Sequence, residues 1–233
     1  MKLPKHVAFI LDGNRRFGEL VLNDRYAGHK YGADKIKDIL DWCREYNIKT
    51  VTLWGFSTDN FNRPKEEVDM LMELFAEKLN FLIEKESDIH KHNVKINFYG
   101  RTDLFPKKVQ DAINNVIRAT KDHNKYIVNF AIAYGGKQEI LDVVKELAKK
   151  VVAGELSCDD ISETDFESAM YFDLPNIDLV IRTGGAKRTS GFMPWKGALA
   201  EWYFTDKYWP EFEKHDFLRA LTDYSDRQRR FGK

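Results

Sequence analysis

Asp12, Gly13, Asn14, Arg15 and Arg16 close the apolar run "HVAFIL" with a carboxylate, a turn residue, an amide and two guanidiniums in succession. A hard cation such as Mg²⁺ takes one or two carboxylates and completes its shell with water and phosphate oxygens. Asp12 beside arginines therefore suits a diphosphate–Mg²⁺ pair, while a strand-to-loop turn with solvated arginines is the plain alternative. A second cluster, "FSTDNFNRP" from Phe56, offers Ser57, Asn60 and Arg63 as donors. It ends on Pro64, a good first residue for a helix, and Asn62 or Arg63 also reads as a simple cap. A third, "IRTGGAKRTSGF" from Ile181, sets Arg182, Arg188 and Ser190 around a Gly-Gly turn. Two guanidiniums and a hydroxyl can bracket a phosphate through charge-assisted bonds. Glu201 stands in the apolar run "LAEWYFT", so a cation, an arginine or exposure must account for its charge.

These clusters need elements to position them, and the chain supplies a regular alternation. The runs "HVAFIL", "TVTLWGF", "VKINFYG", "YIVNFAIAYG", "IDLVIRTG" and "LAEWYFT" look like buried strands. Between them, "ADKIKDILDWCREY", "EEVDMLMELFAEKLNFLIEKE", "PKKVQDAINNVIRATKD" and "KQEILDVVKELAKKVV" repeat apolar residues at the helical period, and a last amphipathic stretch covers 216–230. Strands separated by helices imply parallel neighbours joined by right-handed crossovers. The expected fold class is α/β, a single domain over 1–233 with a mostly parallel sheet of about six strands and flanking helices. In such sheets ligands bind beyond the carboxyl ends of the strands, where the three polar clusters fall.

Composition narrows the chemistry. Thirty-seven basic residues balance 37 acidic ones, so bulk charge gives no reason to expect nucleic acid as a partner. Cys43 and Cys158 stand far apart without CxxC spacing, which fits a reducing cytosol. The N-terminus lacks a signal-peptide core, and no apolar run approaches the roughly 20 residues of a membrane span. There is no GxxxxGK[ST], and no GxGxxG after the first strand. "AYGGKQEI" reads as a strand-to-helix turn, and "HKHN" at 90–93, lacking a Cys or acidic ligand at suitable spacing, as a solvated helix end.

Taken in order, "HVAFILDGNRRF", "DRYAGHKYGA", "FSTDNFNRP", "AIAYGGKQEI" and "DLVIRTGGAKRTSGFMPW" with "AEWYFTDKYWPEF" resemble the cis-prenyltransferases, the undecaprenyl diphosphate synthase family, from His6 to Gly232. The resemblance implies a Mg²⁺-dependent homodimer that extends an allylic diphosphate with isopentenyl diphosphate, each new double bond being cis. It implies that Asp12 holds the metal and that Gly13, Asn14, Arg16, Arg25 and His29 cradle the allylic diphosphate, with Phe17, Phe61 and Arg63 also on the substrates. Arg182, Arg188 and Ser190 would take isopentenyl diphosphate, joined by Arg230 and Gly232 of the partner subunit. Glu201 would complete the metal site across the dimer interface, and Asn14, Ser57 and Asn60 would relay the departing proton.

An apolar tunnel is expected between the second and fourth strands and their helices, lined by Gly55, Phe56, Leu71, Phe75, Val128, Phe130 and Ile132; ordinary core packing is the alternative for each. The chain departs from the family pattern at Arg15, Phe17, Ala186 and Gly191. Ala186 stands where many relatives carry glutamate, which predicts weaker Mg²⁺ binding. A short-chain or irregular coupling enzyme and a non-catalytic partner subunit are the competing readings. A cytoplasmic protein is expected, touching the bilayer only when a long product leaves.

Overall fold

The computed structural model describes residues 1–84, 87–171 and 173–227. Six strands form one sheet: β1 (His6–Ile10), β2 (Thr50–Ser57), β3 (Val94–Tyr99), β4 (Tyr126–Tyr134), β5 (Leu179–Arg182) and β6 (Glu201–Phe204). Their order is β3-β4-β2-β1-β5-β6, and every neighbouring pair is parallel. The α/β reading of the alternating runs holds, and the sheet is parallel throughout.

Each face of β1 is buried, as a central parallel strand requires. Alternation sends Val7 and Phe9 to one side and Ala8 and Ile10 to the other. Phe9 meets the rings of Trp209, Phe212 and Phe217 at 5.9, 6.5 and 6.1 Å. Burying such a ring is worth about 1.5–3 kcal/mol, so these contacts fix the chain's C-terminal third against the first strand.

Helices α1 (Asn14–Val21) and α2 (Ala27–Glu45) follow β1, and α3 (Lys65–Leu82) and α4 (Asp88–Lys91) follow β2. Then come α5 (Lys107–Thr120), α6 (Gly136–Val152), α7 (Glu163–Ser168) and α8 (Lys214–Asp226). Two of these differ from the sequence reading. The stretch after Asp12 is not a loop, because Asn14 opens α1 directly, and α2 begins at Ala27 rather than Ala33. Glycine makes both possible. A Cβ at Gly28 would sit 2.0 Å from the Asn14 carbonyl oxygen, so α1 and α2 cross with backbone nearly on backbone.

Candidate active site

The loop after β1 is held through the Asp12 backbone, and Asp12 lines the cavity beyond the strand. The Asp12 carbonyl accepts from the Thr183 hydroxyl at 2.7 Å and from the Trp209 amide at 3.1 Å. Gly13 has φ 109°, and a Cβ there would lie 2.8 Å from the Tyr208 ring. Only glycine makes this left-handed turn without strain and clash. The turn aims the N-terminus of α1, with its unpaired amides and positive dipole end, at the space beyond β1.

That space is a cavity of about 320 Å³ lined by Leu11, Asp12, Gly13, Asn14, Arg15, Arg16, Glu19, Arg25, His29 and Arg63. Four guanidiniums and a helix N-terminus converge there, against the carboxylates of Asp12 and Glu19, as an anion of more than one charge requires. Asp12 is 29% exposed and joins two arginines: Arg16 donates to Oδ1 at 3.1 Å and Arg182 to Oδ2 at 2.9 Å. Gly184, φ 81°, lets the β5 loop close on this pair, since a Cβ there would be 2.7 Å from Arg16 Nη2.

Sequence reasoning missed the residue that organises the far wall. Glu67, fully buried in the first turn of α3, accepts from Arg63 at 3.0 Å and from His29 Nε2 at 3.1 Å, with Arg15 Nε 3.6 Å away. One carboxylate thus sets three of the cavity's basic side chains. Burial, and then the charge of Arg63, hold the His29 imidazole below its ordinary pKa, so it is neutral at neutral pH. The available signal was Arg63-x-x-x-Glu67, an i,i+4 pair across a helix start.

A second, larger cavity of about 580 Å³ lies between the β2-β4-β3 face and helices α2, α3 and α4. Gly55, Phe75, Val128, Phe130 and Ile132 line it, and Leu11 borders both cavities. The register of β2 shifts between Trp54 and Phe56, which leaves Gly55 exposed toward the cavity.

The family model described as putative undecaprenyl diphosphate synthase matches residues 10–232. The chain is 51% identical over 234 residues to the tritrans,polycis-undecaprenyl-diphosphate synthase (geranylgeranyl-diphosphate specific) of Methanocaldococcus jannaschii, covering 99% of this chain and 83% of that protein. This chain belongs to that family, the cis-prenyltransferases. The like-named protein of Methanopyrus kandleri is 46% identical, over all of this chain and 86% of its own. Among solved structures, lavandulyl diphosphate synthase from Lavandula x intermedia in complex with dimethylallyl diphosphate superposes with a TM-score of 0.92 at 33% identity, covering 99% of each chain. A probable undecaprenyl diphosphate synthase from Campylobacter jejuni gives 0.80 at 32%, covering 100% of each.

Several expected site residues of this cis-prenyltransferase stand elsewhere than in the first cavity. Phe17 is buried against Tyr31, ring centroids 5.8 Å apart, between α1 and α2. Phe61 packs on Phe56 and Phe105 at 4.9 and 5.7 Å. Phe56, 1% exposed, is turned by the β2 bulge into that aromatic cluster, and Leu71 is buried in the core, so neither lines the large cavity. Ser57 and Asn60 lie outside the first cavity, and the Asn60 amide oxygen accepts from the Ser57 amide at 3.0 Å. The Asn14 amide donates to the Leu11 carbonyl at 3.2 Å, and its oxygen is buried facing Gly32.

Arg182 is 4% exposed and serves the protein itself, donating to Ser190 Oγ at 2.7 Å, to the Arg188 carbonyl and to Asp12. Arg188 and Ser190 are exposed on the same loop. Glu201 pairs with Arg227 at 2.8 Å and starts β6 opposite Leu179, whereas Arg182 beside Asp12 pairs with Phe204 at the other strand end. Within one subunit Glu201 therefore does not reach Asp12. Arg230 and Gly232 lie outside the described residues.

Among the described residues no group of three or more His, Cys, Asp or Glu could hold a metal. The donor set still fits Mg²⁺, which keeps much of its shell for water and substrate phosphates and needs only one or two carboxylates. Asp12 is such a carboxylate, at the edge of a phosphate-sized basic cavity.

Proposed function

We propose that the enzyme extends an allylic diphosphate, geranylgeranyl diphosphate by analogy with the names of its relatives, with isopentenyl diphosphate to give a cis-polyprenyl diphosphate. The observation that carries this reading is Leu11, which borders a guanidinium-lined cavity on one side and a large apolar cavity on the other. A molecule with a doubly charged head and a long hydrocarbon tail fits across that boundary. The head is met by Arg15, Arg16, Arg25, Arg63 and the amides that open α1; the tail by Gly55, Phe75, Val128, Phe130 and Ile132.

Ionisation of the allylic carbon–oxygen bond leaves a diphosphate of growing negative charge, and donors fixed before the reaction stabilise that charge most. Mg²⁺, held by Asp12 and substrate oxygens, would neutralise part of the same charge. The hydrogen bonds of Arg182 to Asp12 and to Ser190 join the β5 loop to Asp12, which supports a role for Arg188 and Ser190 in receiving the second diphosphate. The alkene then stands at attack distance from the allylic carbon, a gain from positioning. After the new carbon–carbon bond forms, carbon two loses a proton. We assign it to an oxygen of the released diphosphate, because the amide oxygens of Asn14 and Asn60 are turned into local structure.

A homodimer fits β6, an edge strand whose Trp202 and Phe204 stack at 5.8 Å beside the exposed Leu199. A cytoplasmic enzyme that meets the bilayer on releasing its product fits a chain in which no described helix is long and apolar enough to cross a membrane.

The test is purified protein with Mg²⁺, isopentenyl diphosphate and allylic primers of increasing length, followed by mass and double-bond geometry of the dephosphorylated alcohols. Long cis products with a preference for geranylgeranyl diphosphate support the proposal. A branched ten-carbon product would instead favour irregular coupling, the second reading, which the 0.92 superposition on lavandulyl diphosphate synthase keeps in play. No product from any primer would favour the partner-subunit reading.

A further inference from the structure

The structure changes the meaning of "HKHN". His90, on α4, is brought against His123, which lies 33 positions later in the turn before β4. His90 Nδ1 and His123 Nε2 are 3.4 Å apart, and the rings meet nearly at right angles, 87°, with centroids 5.2 Å apart. His123 Nδ1 lies 2.9 Å from the Val94 carbonyl, which only accepts, so the proton of that imidazole sits on Nδ1. Its Nε2 therefore carries a bare lone pair aimed at His90.

We propose that His90 and His123 form a binding site for a transition-metal ion of the Zn²⁺ class, separate from the oxygen-lined diphosphate site. Two nitrogens each 2.0–2.1 Å from a tetrahedral Zn²⁺ are separated by about 3.3 Å, and the pair already stands at that spacing. A backbone carbonyl that accepts from the other ring N–H is a usual partner that orients a metal-bound imidazole, and Val94 supplies it to His123 Nδ1. Without metal, His90 Nδ1–H donates to His123 Nε2. With metal, the His90 proton moves to Nε2 and both imidazoles bind as neutral ligands. The half-buried pair meets no third protein ligand among the described residues, so water completes the shell. Imidazole nitrogens favour Zn²⁺, Ni²⁺ and Cu²⁺, whereas Mg²⁺ prefers oxygen, which separates the two sites chemically.

The position gives such an ion a structural consequence. Ser87, Asp88, Ile89 and Lys91 wall one end of the large apolar cavity. An ion at His90 ties that wall to the turn that leads into β4, across from Val128 and Phe130. The inference does not depend on what the cavity holds.

The full chain, kept in excess Mg²⁺, is titrated with Ni²⁺ while the ring protons of its six histidines are followed by NMR. His90 and His123 are expected to broaden together and first. In a chelator competition the protein should take up one Zn²⁺, with affinity lowered about tenfold or more in His90→Ala and in His123→Ala and unchanged in Asp12→Ala. The inference is overturned by a protein that takes up no Zn²⁺, by earlier broadening at His215, or by folded His90 and His123 variants that bind as wild type. Should either variant misfold, the order of broadening in the wild type decides alone.

Discussion

At the scale of single residues, Asp12 and Glu67 are two carboxylates with opposite surroundings and different work. Asp12 is partly exposed between Arg16 and Arg182 at the cavity edge, where in the proposed reading a metal and substrate oxygens would take the place of an arginine. Asp12→Ala is expected to lower turnover at least about a hundredfold, as loss of a fixed electrostatic element at developing charge does, while circular dichroism stays unchanged. Turnover near wild type would remove Asp12 from the chemistry. Glu67 cannot make that exchange, because it is sealed inside and balances Arg63 beside His29. Removing one partner of a buried ion pair costs about 3–5 kcal/mol, so Glu67→Gln should lower the unfolding midpoint sharply. It should also raise KM for the allylic diphosphate more than it lowers kcat, because in the proposed reading the arginines it orders meet the head group. A stability loss with KM unchanged would leave Glu67 a purely structural residue. Asp12 was legible in the sequence because a charge ended an apolar run, but Glu67 was not, because one glutamate within "KEEVDMLMELF" looks like any first-turn acid.

Among the elements, the strands were readable because a parallel sheet buries both faces and leaves near-continuous apolar runs. Helix α1 was not, because "NRRFGELV" is short and carries a glycine, and it is held by the close crossing with α2 at Gly28 rather than by its own propensity. The aromatic residues of "FSTDNFNRP" and "TVTLWGF" were misplaced for a related reason. The β2 bulge shifts register by a residue, and one residue of register exchanges the faces of a strand. Phe56 thereby enters the cluster with Phe61, Phe75 and Phe105 while Gly55 is given to the cavity. A Cβ at Gly55 would meet only Ile132, at 3.5 Å, so the strand tolerates a side chain there, and a longer one would project into the cavity that Gly55 lines. Gly55→Leu is expected to fold normally and to shorten the product ladder by several units. Mass analysis of the alcohols decides it; an unchanged ladder with full activity would show that the chain does not pass Gly55.

Across the whole molecule, a polar joint that includes buried His6, Thr52 and Asn129 crosses the middle of the sheet. His6 of β1, 1% exposed, places Nδ1 3.0 Å from the Pro175 carbonyl and Nε2 2.8 Å from Thr52 Oγ1 of β2. It thus joins two central strands to the segment entering β5. Burial pushes its pKa down from 6.5 to about 4. Above about pH 6.5 neither the folded nor the unfolded chain holds this proton, and stability is independent of it. As pH falls through that range the unfolded chain takes up a proton that the folded chain refuses, so stability declines until about pH 4 and then levels. The loss from this one group is of order 3 kcal/mol, and His29, also held neutral by burial, adds to it in the same direction. Urea unfolding at about pH 7 and about pH 4.5 should therefore show a marked fall for the wild type. His6→Gln, which keeps an amide for the Pro175 carbonyl and cannot take a proton, should be less stable at neutral pH yet lose clearly less on acidification. Equal losses for the two proteins would place the acid sensitivity in other groups and leave His6 a joint without a titration.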